Sequence, residues 1–105
     1  MKPIIVCLCG STRFSDAFIK AFLDETLEGK IVLTVGNDWR DNRQWQEIDP
    51  QKKIMLDELH KRKIDLANEV LILNVDGYIG ESTRSEIAYA DKLGKVIRYL
   101  EGGEQ

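Results

Sequence analysis

Two short segments of the chain concentrate side chains able to bind or transform a polar ligand. The first, Cys9-Gly10-Ser11-Thr12-Arg13, lies where an apolar run gives way to a helical pattern. Gly10 permits a tight turn, Ser11 and Thr12 offer hydroxyls and amides, and a helix N-terminus beside Arg13 favours an anion such as phosphate. A plainer role is equally open, because Ser and Thr are favoured helix caps. The second segment runs from Gly77 to Ala90 and contains Ser82, Thr83, Arg84 and Glu86. A carboxylate in the first turn of a helix that follows a strand can face a ligand crevice, and Glu86 occupies that place. Thr83-x-x-Glu86 is also the spacing of a capping box, in which the glutamate only accepts the cap residue's amide. Both readings of Glu86 stand at this level.

Other candidates are single residues. Asp65 precedes an apolar run and reads either as a solvated acid or as a second carboxylate of the site. Trp39 and Trp45 lie in a polar stretch, where they would stack on a base or anchor the loop. His60, followed by Lys61 and Arg62, reads as a surface histidine. Cys7 and Cys9 share one strand-like run and are expected on opposite faces, as reduced, buried thiols that do not bridge. A zinc site is not expected, since His60 is the only histidine and is remote from them in sequence.

These residues need elements to position them. Ile4 to Cys9 is continuously apolar and stops at Gly10, as a strand buried on both faces does. Phe14, Ala17, Phe18, Ala21 and Phe22 keep helical spacing, and Gly29 ends that helix. Ile31 to Val35 is a second strand. Asn37 to Asp49 shows neither period and reads as a loop. Asp49-Pro50 supplies an N-cap and a proline at the first helical position, and Leu56, Leu59, Lys63, Leu66 and Ala67 mark one face of the next helix. Val70 to Val75 is the third strand, a helix spans about Ser82 to Leu93, and Val96 to Leu100 is the last strand.

Alternation of strand and helix predicts an α/β fold, a small doubly wound, flavodoxin- or Rossmann-like parallel sheet with helices on both faces. Ligands of such sheets collect beyond the carboxyl ends of the strands. The three polar stretches, Gly10 to Arg13, Gly36 to Asp49 and Asp76 to Glu86, fall there. The 105 residues suffice for a single domain, 1–105, and not for a second substrate domain.

Lys and Arg number 15 against 18 Asp and Glu, a formal net charge of -3 that argues against polymeric nucleic acid as a partner. No stretch has the length of a membrane span or the form of a signal peptide, so a cytoplasmic protein is expected.

With strand-Cys9-Gly10-Ser11-Thr12-Arg13 at the start, Asp65 ahead of a strand, and Ser82 to Ala90 at a helix start, the chain resembles the nucleoside 2-deoxyribosyltransferase-like family, which includes the 2′-deoxynucleoside 5′-phosphate N-hydrolases. The likeness runs from about Ile4 to Leu100. It implies that Gly10, Ser11 and Arg13 contact the phosphate or sugar end of a nucleotide, with Thr12, Ser82, Thr83 and Arg84 around it. It further implies that Glu86 is the nucleophile at the anomeric carbon and Asp65 an assisting acid. Thr83, Glu86 and Ala90 match the family's Thr-x-x-Glu-x-Gly-x-Ala pattern, while Ala88 stands for its glycine and Gly80 for a common acidic residue, with Glu81 next to it.

The expected activity is cleavage or exchange of the N-glycosidic bond of a nucleoside or its 5′-monophosphate, with no metal or redox cofactor required. The alternative is a non-catalytic nucleotide-binding module of the same fold. A homodimer or larger homo-oligomer is expected, because relatives close their sites with a neighbour's residues.

Overall fold

The computed structural model describes residues 2–36 and 47–102. The sheet is all parallel, with strands β1 (Ile5–Cys9), β2 (Ile31–Leu33), β3 (Glu69–Ile72) and β4 (Val96–Tyr99) in the order β2-β1-β3-β4. Three helices connect them: α1 (Ser15–Leu27), α2 (Pro50–Leu66) and α3 (Glu81–Lys92). The architecture is thus the α/β parallel sheet, covered on both faces, that the alternation of elements predicts. The third strand is shorter than its apolar run, because a 3-10 turn at Val75–Gly77 takes the end of it. Asp76 and Gly77 adopt positive φ in that turn. Among the described residues no helix is long and apolar enough to cross a membrane.

Each strand face belongs to a different layer. Val6 and Leu8 pack with Leu71 and Leu73 under Phe18 and Ala21 of α1. Cys7 and Cys9 pack with Val70 and Ile72 under Ile64 of α2 and Ala90 of α3. Residues two apart on a strand share a face. Cys7 and Cys9 therefore point the same way, which corrects the expectation of opposite faces. Because β1 is covered on both sides, every residue from Val6 to Cys9 is fully buried and all are apolar or thiol.

The helix starts differ from what their sequences suggest. Asp49 caps α2 as expected, accepting from the Gln51 amide at 2.8 Å, with Pro50 at the first helical position. Neither Ser11 nor Thr12 caps α1. Its cap position is Phe14, which makes no side-chain cap bond, and the Ser11 hydroxyl accepts from the Arg13 amide at 3.3 Å. Helix α3 is entered from Gly80, also without a side-chain cap bond, so Thr83 sits inside the first turn rather than at the cap. The capping-box reading of Glu86 falls with it.

Gly10 ends β1 against the chain leaving β3. A Cβ there would lie 3.1 Å from Leu73 Cβ and 3.2 Å from the Leu73 carbonyl oxygen, closer than ordinary van der Waals contact. Away from the cleft, the α1 side of β3 and β4 carries charge. Glu25, itself buried, pairs with Lys30 at 2.9 Å and with Arg98, and Glu69 joins both cations at 3.3 and 2.8 Å.

Burial alone would raise the Glu25 carboxyl, but hydrogen bonds from Lys30 and Arg98 outweigh it and hold the group below its usual value. A carboxylate with a lowered folded pKa stabilises the fold above its unfolded value, and that contribution is lost as pH falls through the folded one. Glu25→Gln should therefore cost about 1–3 kcal/mol at neutral pH. In urea titrations the gap to wild type should close as the solution is acidified below the ordinary glutamate range. A gap independent of pH would show that the charge of Glu25 contributes nothing.

Candidate functional site

The strand order places the site. Chain connections run from β1 outward to β2 and from β3 outward to β4, so the direction of winding reverses between the adjacent strands β1 and β3. Helices leaving the two strands diverge there and leave a crevice at the carboxyl edge. A cleft of about 460 Å³ occupies it, within the usual range for a small-molecule site. Gly10, Ser11 and Thr12 line it from the end of β1, Val35 and Gly36 from beyond β2, Tyr78 and Gly80 from the turn after β3, and Glu81 to Thr83 from the start of α3. Helix α2 forms the remaining wall with Lys53, Leu56, Asp57, Leu59, His60 and Lys63.

Glu86 projects into this cleft from the second turn of α3 and is 8% exposed. Its burial pushes the carboxyl above the usual range, partly opposed by the positive charge of His60. The group is thus neither a helix cap nor a solvated acid.

His60 also departs from its sequence reading. It is 5% exposed, not a surface residue, and its Nε2 donates to the Leu8 carbonyl at 3.0 Å. The same nitrogen faces Cys7 Sγ at 3.5 Å and Cys9 Sγ at 3.6 Å. Burial disfavours the imidazolium, yet the Cys7 sulfur beside it turns the balance and raises His60 above its ordinary value. Cys7 is the thiol held down, first by the hydrogen bond from Cys9 and then by His60, while Cys9 is pushed up by that pairing and by burial.

Two lysines line the other side of the cleft. Lys53 Nζ bridges Asp57 at 3.0 Å and the Ser82 hydroxyl at 3.1 Å, tying α2 to the start of α3. Lys63 Nζ donates to the Thr34 carbonyl at 2.7 Å and so holds the end of β2 against α2.

Of the residues singled out in the sequence, Gly10, Ser11, Thr12, Ser82, Thr83 and Glu86 come together in the cleft. Arg13 stands at its rim. The guanidinium lies 4.5 Å from the centre of the Tyr78 ring and donates to the Tyr78 hydroxyl at 3.4 Å, so it is held beside a cleft-lining residue without lining the cleft. Arg84 is not a cleft residue and donates to the Ile79 carbonyl at 3.3 Å.

Asp65 is not brought to the cleft either. It lies five residues beyond His60 on the same helix, about 7.5 Å further along an axis that runs towards the start of β3. There it accepts from the Tyr89 hydroxyl at 2.5 Å and pairs with Arg62 at 2.7 Å. These donors hold its carboxyl below the usual range, which suits a permanent anion and not a proton donor. Trp39 and Trp45 fall outside the described residues.

The residues that sequence reasoning missed are Lys53, Asp57, His60 and Lys63. Their signal was present. Positions 53, 57, 60 and 63 follow the three- and four-residue steps of one helix face, and Leu56 and Ile64 continue it. A face that mixes buried apolar residues with Asp, His and Lys is a helix side turned towards a polar cavity. Comparison of the chain with protein-family models, with curated proteins and with solved structures gives no match in any of the three.

Proposed function

We propose that the cleft binds a nucleoside or nucleoside 5′-monophosphate and that Glu86 cleaves or exchanges its N-glycosidic bond. The observation that carries this reading is the buried, uncapped Glu86 carboxylate in a cleft of nucleoside size at the switch point. The resemblance of Cys9 to Arg13 and Ser82 to Ala90 to nucleoside 2-deoxyribosyltransferase-like proteins points to the same chemistry.

In the first step a Glu86 oxygen bonds to the anomeric carbon as the C–N bond breaks, and the bonding pair leaves on the base nitrogen. That nitrogen takes a proton from Glu81, a carboxyl that lines the cleft where Asp65 does not. In the second step water, or the nitrogen of another base, attacks the same carbon, frees the Glu86 carboxylate and returns a proton to Glu81. The charge of His60 favours the ionised, nucleophilic form of Glu86.

Glu86→Gln tests the mechanism. The isosteric amide should fold within about 1 kcal/mol of wild type and still bind ligand. Release of free base from deoxynucleosides and their monophosphates should fall by several orders of magnitude. Wild-type turnover in the variant would refute the mechanism. Binding by both proteins with base release by neither would favour a non-catalytic nucleotide-binding module.

The phosphate end is assigned to Ser11 and Thr12 with Arg13 at the rim. A monophosphate should bind more tightly than its nucleoside, and Arg13→Ala should reduce that advantage by about 1.5–3 kcal/mol, the range for hydrogen bonds to charged groups. Calorimetric titration of both ligands into both proteins measures it, and equal affinities in all four would remove the assignment.

Assembly into a homodimer or larger oligomer belongs to the same reading. Helix α1 leaves Ile19, Phe22, Leu23 and Leu27 exposed along one stripe, with relative accessibilities from 46% to 75%. A second copy would cover such a stripe through a two-fold contact. Sedimentation should give a mass above 12 kDa, and Leu23→Asp should lower it to the monomer; a monomeric wild type at micromolar concentration would end the proposal.

A further inference from the structure

The proposed chemistry leaves the two thiols beneath the cleft unused. Cys7 and Cys9 lie on one face of the central strand, both fully buried, and the one ring nitrogen of His60 that faces them stands 3.5 and 3.6 Å from their sulfurs. The three potential ligand atoms all lie within 4.8 Å of one another. We propose that Cys7, Cys9 and His60 form a binding site for a thiophilic divalent cation, Zn²⁺ being the ion that this donor set selects.

The distances support coordination. Zinc bonds of about 2.3 Å to sulfur and about 2.0 Å to nitrogen, at tetrahedral angles, put sulfur and nitrogen about 3.5 Å apart. The described chain holds His60 and both sulfurs at that spacing already. Two thiolates and an imidazole are soft and borderline ligands, which favour Zn²⁺ over Mg²⁺ or Ca²⁺. Charge also balances, since two thiolates neutralise the ion and a buried neutral cluster avoids the cost of an unpaired charge.

A disulfide is the rival use of the same thiols, and the strand opposes it. Alternate residues of an extended strand have Cα atoms about 6.6 Å apart, near the upper limit for a disulfide. Shortening that distance would bend β1, which is paired with β2 on one side and β3 on the other at this level. A metal ion spans the gap without moving the backbone.

Loading requires proton release. The thiol protons go to solvent as the metal–sulfur bonds form, and the Nε2 proton now given to the Leu8 carbonyl must leave that nitrogen, with the ring rebinding a proton at Nδ1. Access is from the cleft, because His60 and Glu86 line it while the sulfurs do not. Water supplies the fourth ligand, as in open zinc sites. The Glu86 carboxylate is not among the three clustered ligand groups, so the ion site is separate from the glycosyl chemistry. The site itself does not rest on that chemistry.

Cobalt(II) and zinc(II) test the site in the reduced, chelator-treated protein. Titration with Co²⁺ should give sulfur-to-cobalt charge transfer and tetrahedral ligand-field absorption that saturate at one ion per chain, and Zn²⁺ should displace them. Cys9→Ser should diminish the charge-transfer band, and Cys7→Ser with Cys9→Ser should abolish it. His60→Asn should weaken Zn²⁺ binding by about tenfold or more in competition with a chromophoric chelator. Circular dichroism of each variant establishes that it is folded, and a Cys9→Ala variant replaces any that is not. Co²⁺ spectra without thiolate charge transfer, or Zn²⁺ binding unchanged in the double variant, would overturn the proposal. Loss of base release in Glu86→Gln with the Co²⁺ spectrum retained would bear on the glycosyl chemistry and leave the ion site standing.

Discussion

The rest of the structure depends on the direct pairing of β1 with β3. Val6 to Cys9 lie in register with Glu69 to Ile72, although more than sixty residues separate them, and both strands end at the same level. The chain then turns away to opposite sides, and the gap between its two departures is the cleft. Gly10 sets how close these departures come. With a Cβ position 3.1 Å from Leu73, any side chain there would push the end of β1 from the chain leaving β3 and shift Ser11 and Thr12 with it.

On that frame, burial does the electrostatic work. Glu86 sits on α3, His60 on α2 and the two cysteines on β1, so three elements must close on one another before any of them is desolvated. Once closed, each group alters its neighbour. The Cys7 sulfur favours a charged His60, and a charged His60 favours an ionised Glu86 even as burial opposes it. Groups arranged in this way do not titrate singly, and their protons belong to the cluster. Asp65 and Tyr89, equally close to Arg62, form a comparable set at the other end of α2, but exposure leaves that set a surface ion pair.

Local periodicity made the fold legible. The apolar runs of β1 and β3 and the cap at Asp49-Pro50 each announce an element within a few residues. What stayed hidden required knowing what lies opposite. His60 is followed by two basic residues and looks like surface, yet helix geometry turns Lys61 and Arg62 away while His60 faces the sheet. Thr83 and Glu86 have capping-box spacing, and only the entry of α3 at Gly80, three residues earlier, removes that role. Asp65 matched by position relative to a strand, but a helix residue near the amino end of β3 cannot reach a crevice at its carboxyl end. The error over Cys7 and Cys9 was one of parity, and it concealed the only cluster of soft ligands among the described residues.

Helix α2 then explains why one end of the molecule carries a polar-lined cleft and the other only a surface ion pair. Lys53, Asp57 and His60 occupy its first three turns, beside the cleft, whereas Arg62 and Asp65 occupy its last, beside the start of β3. The first set is bound to groups on other elements: Lys53 to Ser82 of α3, and His60 to the backbone of β1. Such ties fix the cleft wall only when the sheet and both helices are assembled. A ligand that bridges the β1 turn and the start of α3 would therefore contact a surface already held by α2, and little ordering of side chains would be needed on binding.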